Sequence, residues 1–392
     1  MHIVHFCGAL KGGPLSAIAE WLRQQLAAGH KVSLIYSPLR DPVESFRNDL
    51  PQDVALIPLQ VHREIDLGSD LAAVRQLVTW LNRIRPDVLH LHSSKAGAIG
   101  RIAALLAGVP AVYSTHGVAF LRTDVGPAAR AFFYGMEFIL GLIGTVTVAC
   151  SPSELAAMRR IPGRKLTIPN GINLGELPDS RPKDKSAGMD IVLCGRITAQ
   201  KNPELANRIA AASPAEWRWT WLGDGELRDA VLAGGRIAVA GWMPRGEVLA
   251  RLGAADVMVH TSSWEGMPIA ILEAMALGLP AVVTDVVGNR DLVVSGKTGF
   301  VADTDSDLLQ ALKQLETDPE LRRRMGEAGH ERIMKEFDQE KLGKIWLSLY
   351  SDIWAQRERP IATHPDQTKN GGTAPHQQRE PKRKKQSGFR PG

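Results

Sequence analysis

Val257 to Asp285 reads VMVHTSSWEGMPIAILEAMALGLPAVVTD. Two β-branched apolar runs, VMVH and AVVTD, flank a loop and a longer apolar run. Strand, helix and strand in that order make a βαβ unit, and strands that are apolar throughout belong to a parallel sheet covered on both faces. Pro268 suits the first helical turn, where its missing N–H costs nothing. Between Pro268 and Gly278 the only polar side chain is Glu273. A carboxylate inside so apolar a helix needs a partner. Uncharged donors such as paired ribose hydroxyls would serve, and so would an internal Arg or Lys. Glu265 falls earlier, in the strand-to-helix loop. The free N–H groups near Met267, Ile269 and Ala270, with the helix dipole, offer an anion site beside it.

The same alternation extends along most of the chain. IVHFC, KVSLIY, VALIPL, VLHLHS, AVYSTH and TVTVAC read as strands, with helical patterns such as LSAIAEWLRQQLAAG between most of them. A polar stretch, LGELPDSRPKDKSAGM, interrupts the series. A second series follows it: DIVLCGR, WRWTWLG, RIAVAG, VMVHTS, AVVTD and GFVAD. The expected fold is α/β, with two doubly wound, Rossmann-like domains. They span 1–173 and 189–340, joined by a linker at 174–188. A long amphipathic pattern from about Glu331 to Arg357 closes the body, and its last part, 341–357, is expected to return to the first domain. In such sheets ligands lie beyond the carboxyl ends of the strands, and two facing domains place the site in the cleft between them.

Composition excludes several other classes. Of 392 residues, 44% are hydrophobic and 23% charged, which is ordinary for a globular chain of two domains. The net charge of +5 resides in 360–392, which holds seven basic and two acidic residues. The neutral body gives no reason to expect a nucleic-acid groove. The tail, residues 358–392, is polar, rich in Pro, Gly and Gln, and expected to be disordered. Its KRKK run, Lys382 to Lys385, could touch an anionic inner membrane, a solvated tail being the other reading. Cys7, Cys150 and Cys194 each end an apolar run, which suits reduced core thiols rather than a disulfide framework or zinc site. Met1 leads straight into a strand, so no secretory leader is expected. Ala131 to Cys150 has the length of a membrane span and one charge, Glu137. Its glycines and the β-branched TVTVAC divide it instead into a helix ending near Gly144 and a buried strand.

Several strand ends carry residues suited to chemistry. Arg196 and Lys201 follow DIVLCGR and could clamp a diphosphate, although surface solvation is the usual fate of such a pair. Gly223 and Asp224 follow WRWTWL, where glycine permits close approach of a ligand or simply a turn. Gly288 and Asn289 follow a further strand. Gly12 and Gly13 precede the first helix without forming G-x-G-x-x-G, which gives no support to a nicotinamide cofactor. His92 and His116 stand at strand ends, and His116, next to Gly117, is the better functional candidate. SGKT, Ser295 to Thr298, lacks the first glycine of a P-loop. DTDSD, Asp303 to Asp307, lacks the later ligands of a calcium loop and is expected to cap a helix near Leu308.

Glu265 and Glu273 form E-x7-E. Together with VLCGRITAQKNP, LGDGELR, IPNGIN and VVGNRDLVVSGKTGFV, they make the second half resemble the retaining GT-B glycosyltransferases of family 4. KGGPLSAIAEWLRQQLAAGHKV and PDVLHLHSSKAGAIGRIAALLAGVPAVYSTHG in the first half look like bacterial polysaccharide- and lipopolysaccharide-assembly members. The resemblance covers about 1–357. It implies a nucleotide-diphosphate-sugar donor held by the second domain and a saccharide or lipid-linked saccharide acceptor, with retention of configuration. By position, Arg196 and Lys201 would bind the diphosphate, and Glu265 would contact donor-sugar hydroxyls. Gly266, Met267, Pro268 and Ile269 would line the donor, and Glu273 would hold the ribose. Gly12 and Gly13 would approach the phosphates, and Gly223 and Asp224 would lie on the donor side. His116 would stand by the donor sugar and incoming acceptor. No D-x-D motif lies where a divalent ion would bind, so neither metal nor cofactor is expected. Many relatives have Gly-Gly and Glu where this chain has Gly288-Asn289 and Asp291. The expected location is cytoplasmic, with peripheral contact at the inner face of the cell membrane. A nucleotide-sugar epimerase of the same shape and a non-catalytic nucleotide-sugar binder are the alternatives. A glycosidase fits poorly, because its two carboxylates must flank one bond and Glu273 is inside a helix.

Overall fold

The computed structural model describes residues 1–8, 10, 13–178 and 188–358. Gly12, most of the linker and the basic tail lie outside the described residues. The first half contains β1 (His2–Cys7), α1 (Gly13–Ala27), β2 (Lys31–Tyr36), β3 (Ala55–Pro58), α2 (Leu67–Ile84), β4 (Val88–His92) and α3 (Ser94–Ala107). It continues with β5 (Ala111–Ser114), α4 (Pro127–Gly141), β6 (Val146–Ala149), α5 (Pro152–Ala157) and β7 (Lys165–Thr167). Its seven strands lie in the order β3-β2-β1-β4-β5-β6-β7. Helices cover both faces, and the central strands are buried along most of their length, which is why they read as unbroken apolar runs.

The second half runs β8 (Asp190–Cys194), α6 (Pro203–Ala212), β9 (Arg218–Leu222), α7 (Arg228–Ala233), β10 (Ile237–Gly241), α8 (Arg245–Ala254) and β11 (Val257–His260). There follow α9 (Ile269–Ala276), β12 (Ala281–Thr284), α10 (Asn289–Leu292), β13 (Gly299–Ala302), α11 (Asp305–Thr317), α12 (Pro319–Glu336) and α13 (Gln339–Glu358). The sheet order is β10-β9-β8-β11-β12-β13, and each named pairing in both sheets is parallel. The six strands foreseen in this half are all present. In the first half β7 was not foreseen, since three residues are too short for a periodic signal.

Two boundaries differ from the sequence reading. The single closing helix is two helices, broken at Phe337-Asp338. There the chain bonds across to Ile172, whose N–H donates to the Phe337 carbonyl and whose carbonyl accepts from Gln339 N–H, both at 3.0 Å. Beyond the break, α13 packs on α1 and β4 of the first domain, burying Trp346, Leu349 and Tyr350. The helix expected near Leu308 starts at Asp305, because Thr304 rather than the aspartate run is its cap, in a capping box with Asp307.

Ala131 to Cys150 divides as expected into α4 and β6. Glu137 points inward, where one oxygen accepts from Arg101 on α3 at 2.8 Å and the other from the Tyr113 hydroxyl at 3.0 Å. Among the described residues no helix is long and apolar enough to cross a membrane. Among the described residues Cys7, Cys150 and Cys194 form no disulfide.

Candidate active site

The strand-to-helix loop between β11 and α9 organises the cleft. β11 ends at His260, and Ser263 N–H donates to the Gln200 carbonyl at 2.8 Å, tying this loop to the one after β8. Glu265 is buried there with four partners. Oε1 accepts from Lys201 Nζ at 2.5 Å and Ser262 Oγ at 2.8 Å, and lies 3.2 Å from His260 Nε2. Gln200 Nε2 donates to Oε2 at 3.2 Å. Burial pushes the Glu265 carboxyl up, but the Lys201 ammonium, helped by the His260 contact, more than offsets this and holds it at about 2. Burial, then the same ammonium, pushes the His260 imidazole down to about 4. The carboxylate is therefore ionised at neutral pH, next to a neutral imidazole and one compensating cation.

The helix start beside it is open. Pro268 is the N-cap of α9 and offers no side-chain cap; the first intrahelical donors, Ile271 and Leu272, both bond the Pro268 carbonyl. The Ile269 and Ala270 N–H groups thus point past the end of the helix, as an anion site requires. Met267 is buried, and its carbonyl accepts from Asn170 of the first domain at 2.9 Å. Arg196, after β8, is exposed, and among the described residues no carboxylate partner is recorded for it. Lys201 and Arg196 thus differ: one is locked to Glu265 and the other is open.

Glu273 lies on α9 and is buried. Its Oε1 accepts from Arg245 Nε at 2.9 Å, and Arg245 also bonds Glu176. Of the two partners left open by the sequence, the internal cation is present as Arg245. Burial raises the Glu273 carboxyl, with Arg245 opposing.

Gly223 and Gly225 have a packing role. A Cβ on Gly223 would come within 2.3 Å of the Gly195 carbonyl oxygen, and one on Gly225 within 2.3 Å of that of Ile197. These glycines let the β9 turn lie directly under the Gly195-Arg196 turn. Asp224 pairs with Arg228 at 2.6 Å. Gly288 likewise lies against the Gly266 carbonyl, with 2.3 Å to a virtual Cβ. Asp291, the departure from the common pattern, accepts from Gly288 N–H at 3.2 Å and bonds Ser153 of the first domain.

On the facing side, His116 and Gly117 press against the Glu265 loop. A Cβ on Gly266 would meet Gly117 N at 2.5 Å. His116 has φ +50°, a left-handed backbone that few side chains adopt. The turn is held by buried Glu154, whose carboxylate accepts from the N–H groups of Gly117 at 2.9 Å, Val118 at 3.0 Å and Cys150 at 2.8 Å. The His116 ring faces inward: Nε2 is 3.1 Å from His92 Nδ1, and Nδ1 is 3.6 Å from Cys150 Sγ. The contact continues from His92 Nε2 to His5 Nδ1 at 2.9 Å, and from His5 Nε2 to Gln25 Oε1 at 2.8 Å. Beside this chain, His90 bonds Ser114 Oγ and the Tyr350 hydroxyl. Burial pushes His5 and His116 down to about 4 and His90 and His92 well below the usual imidazole range. His5, His90 and His92 are close enough to hold an ion, but each of their ring nitrogens has a hydrogen-bond partner, which suits a neutral polar network instead. Gly13 opens α1.

Of the residues singled out in the sequence, Glu265 and Lys201 are in direct contact in the loop before α9, and Arg196 lies exposed after β8. Sequence reading missed Gln200, Ser262 and His260 around Glu265, Arg245 beside Glu273, and Glu154 under His116. Ser262 and His260 could have been found, because they alternate with the loop at the end of β11. Arg245 and Glu154 left no local signal.

Residues 183–332 match the profile of the glycosyl transferases group 1, and residues 12–171 that of the glycosyl transferase 4-like domain. The lipopolysaccharide core biosynthesis glycosyltransferase LpsE of Rhizobium meliloti is 33% identical over 361 residues, covering 89% of this chain and 98% of its own. The UDP-Gal:alpha-D-GlcNAc-diphosphoundecaprenol alpha-1,3-galactosyltransferase of Escherichia coli is 33% identical over 61% of this chain and 68% of its own. Among solved structures, the sucrose-phosphate synthase of Thermosynechococcus elongatus superposes with a TM-score of 0.77 at 20% identity, covering 91% of this chain and 100% of that one. Anabaena HepE in complex with UDP-glucose gives 0.72 at 17% identity, covering 90% and 100%. The two-domain GT-B fold is thereby shown.

Proposed function

Since the chain belongs to the group 1 glycosyltransferases, we propose that it moves a sugar from a nucleoside-diphosphate donor to a saccharide carried on lipid or lipopolysaccharide, retaining the anomeric configuration. The observation that carries this reading is the Glu265 loop: a buried carboxylate fixed by Lys201, beside an uncapped helix start, with Arg196 exposed on the turn after β8. As the glycosidic bond to the diphosphate breaks, negative charge grows on the leaving oxygens. Arg196, Lys201 and the Ile269 and Ala270 N–H groups stabilise that charge without reorganising. Glu265, pinned by its four neighbours, orients the donor-sugar hydroxyls. The backbone of His116-Gly117, held by Glu154, closes the acceptor side. Attack from the face the diphosphate leaves gives retention without a stable covalent intermediate. Because the cations are side chains, no metal is required. The reaction belongs at the cytoplasmic face of the membrane, where the protein is a peripheral visitor.

A screen of UDP- and GDP-sugars against purified membrane acceptor tests this, with nucleotide release, product mass and anomeric configuration as readouts. Transfer with retention, undiminished in EDTA, is expected. Isomerised donor would favour an epimerase, donor binding without turnover a binding protein, and full loss in EDTA restored by magnesium or manganese a metal site.

Glu273 has a separate test. Arg245 occupies Oε1, and we assign the other oxygen to the ribose hydroxyls of the nucleotide. Hydrogen bonds to a charged group contribute about 1.5–3 kcal/mol, so Glu273→Gln should weaken free nucleoside diphosphate by roughly 10-fold or more in calorimetry. Unchanged affinity would make Glu273 a partner of Arg245 alone.

A further inference from the structure

Helix α4 is amphipathic the wrong way round for a surface helix. Its one carboxylate, Glu137, is buried against Arg101, while Phe132, Phe138, Ile139 and, just beyond the helix, Leu142 are 51%, 42%, 61% and 67% exposed. These positions recur at helical spacing and form one outward stripe. Leu105 and Leu106, equally exposed, end the neighbouring α3. A contiguous apolar face of this kind calls for a covering partner.

The charges around it indicate which partner. Between 125 and 175 the only acidic residues are Glu137 and Glu154, and both are buried. The basic residues of the same segment reach the surface, among them Arg159, Arg160 and Arg164. None of these three has a carboxylate partner among the described residues. Their loop abuts the end of α4, where a Cβ on Gly141 would meet the Pro162 carbonyl oxygen at 2.7 Å. An apolar stripe beside exposed arginines that have no carboxylate partner among the described residues matches an anionic lipid surface. A second copy of the chain would bring the same cations against each other.

We propose that the outward face of α4, with Arg159, Arg160 and Arg164, is a docking surface for anionic membrane. The apolar side chains enter the headgroup boundary and the arginines pair with lipid phosphates. Docking itself does not depend on the reaction. Its use, to hold the first domain where a lipid-borne acceptor emerges, rests on the function proposed above.

The test is co-sedimentation of the full chain with vesicles of phosphatidylcholine alone or mixed with phosphatidylglycerol. Wild type is expected to bind the mixed vesicles. Phe132→Ser/Ile139→Ser/Leu142→Ser should lose ~10-fold or more at every salt concentration, as lost apolar burial would. Arg159→Gln/Arg160→Gln/Arg164→Gln should lose roughly 5-fold per charge at low salt, and the difference should shrink as salt screens it. Both variants should release nucleotide normally with a soluble acceptor, which separates docking from the proposed reaction. Undiminished vesicle binding by the apolar variant would overturn the proposal. So would loss of all binding on neutralising Lys382 to Lys385 alone. A dimer in sedimentation velocity that the apolar variant dissociates, with no vesicle binding, would assign the face to a second copy instead.

Discussion

Arg196→Ala and Lys201→Ala are each expected to lower kcat by ~10²-fold or more, a loss of about 2.7 kcal/mol of transition-state stabilisation. The two variants should differ in everything else. Arg196 is exposed and among the described residues has no recorded carboxylate partner, so its loss should leave the melting temperature unchanged. Lys201 neutralises Glu265 across 2.5 Å within a buried site. Without it the carboxylate loses the charge that offsets its burial, and breaking a buried pair from one side typically costs about 3–5 kcal/mol. Lys201→Ala should therefore be both slow and unstable. Lys201→Ala/Glu265→Gln separates the effects, since it should recover stability while remaining slow. Near-normal turnover in both single variants would remove the diphosphate from this part of the cleft.

The sequence showed the fold clearly and the site in part, for different physical reasons. Parallel strands covered on both faces are largely apolar, so all but the short β7 stood out, and the Ser263–Met267 loop was bracketed by one of them and the apolar run of α9. What such runs cannot convey is which side chains meet. VLHLH places His90 and His92 on one face of the strand but does not say what meets them there. Their partners come from far along the chain: His5 stands opposite His90 in the β1–β4 register, and Tyr350 arrives from the last helix. Glu273 shows the same limit. Burial of a helical carboxylate was legible, but whether a ribose or an arginine answers it depended on Arg245, which α8 brings in from 28 residues away. The paired glycines show the same limit. Gly223 and Gly225 look like ligand-approach positions, yet their missing side chains make room for the protein's own backbone at 195–197. A glycine marks close approach without saying of what.

The histidine network makes the folded protein sensitive to mild acid. His5, His90, His92 and His116 are held neutral by burial, with His5 and His116 down at about 4 and the other two well below the usual imidazole range. In the unfolded chain each returns to about 6.5. Above that pH the residues are neutral in both states and contribute no slope. Below it the unfolded chain binds protons that the folded chain refuses, so stability falls as pH falls, by about 1.4 kcal/mol per pH unit for each histidine. For His5 and His116 the loss continues until the folded value near 4 is reached. Four such groups together approach 5–6 kcal/mol per pH unit as an upper limit, comparable with the whole stability of an ordinary domain at about 5–15 kcal/mol. Cooperative unfolding is therefore expected between about pH 6 and 4.5, well above the range where surface carboxylates titrate. Glu265 acts in a lower window. Its folded value of about 2 lies below its model-peptide value of 4.5, so the stability it contributes is lost only as pH falls from there towards 2. Urea midpoints measured from pH 7.5 downwards test the assignment. Stability that stays level to pH 5 would mean the network accepts protons while folded. His5→Gln should flatten the slope by about one histidine's share, roughly 1.4 kcal/mol per pH unit, even if it lowers stability at neutral pH. That slope change separates loss of a buried titrating group from simple loss of packing, which would shift the whole curve downwards without changing its steepness.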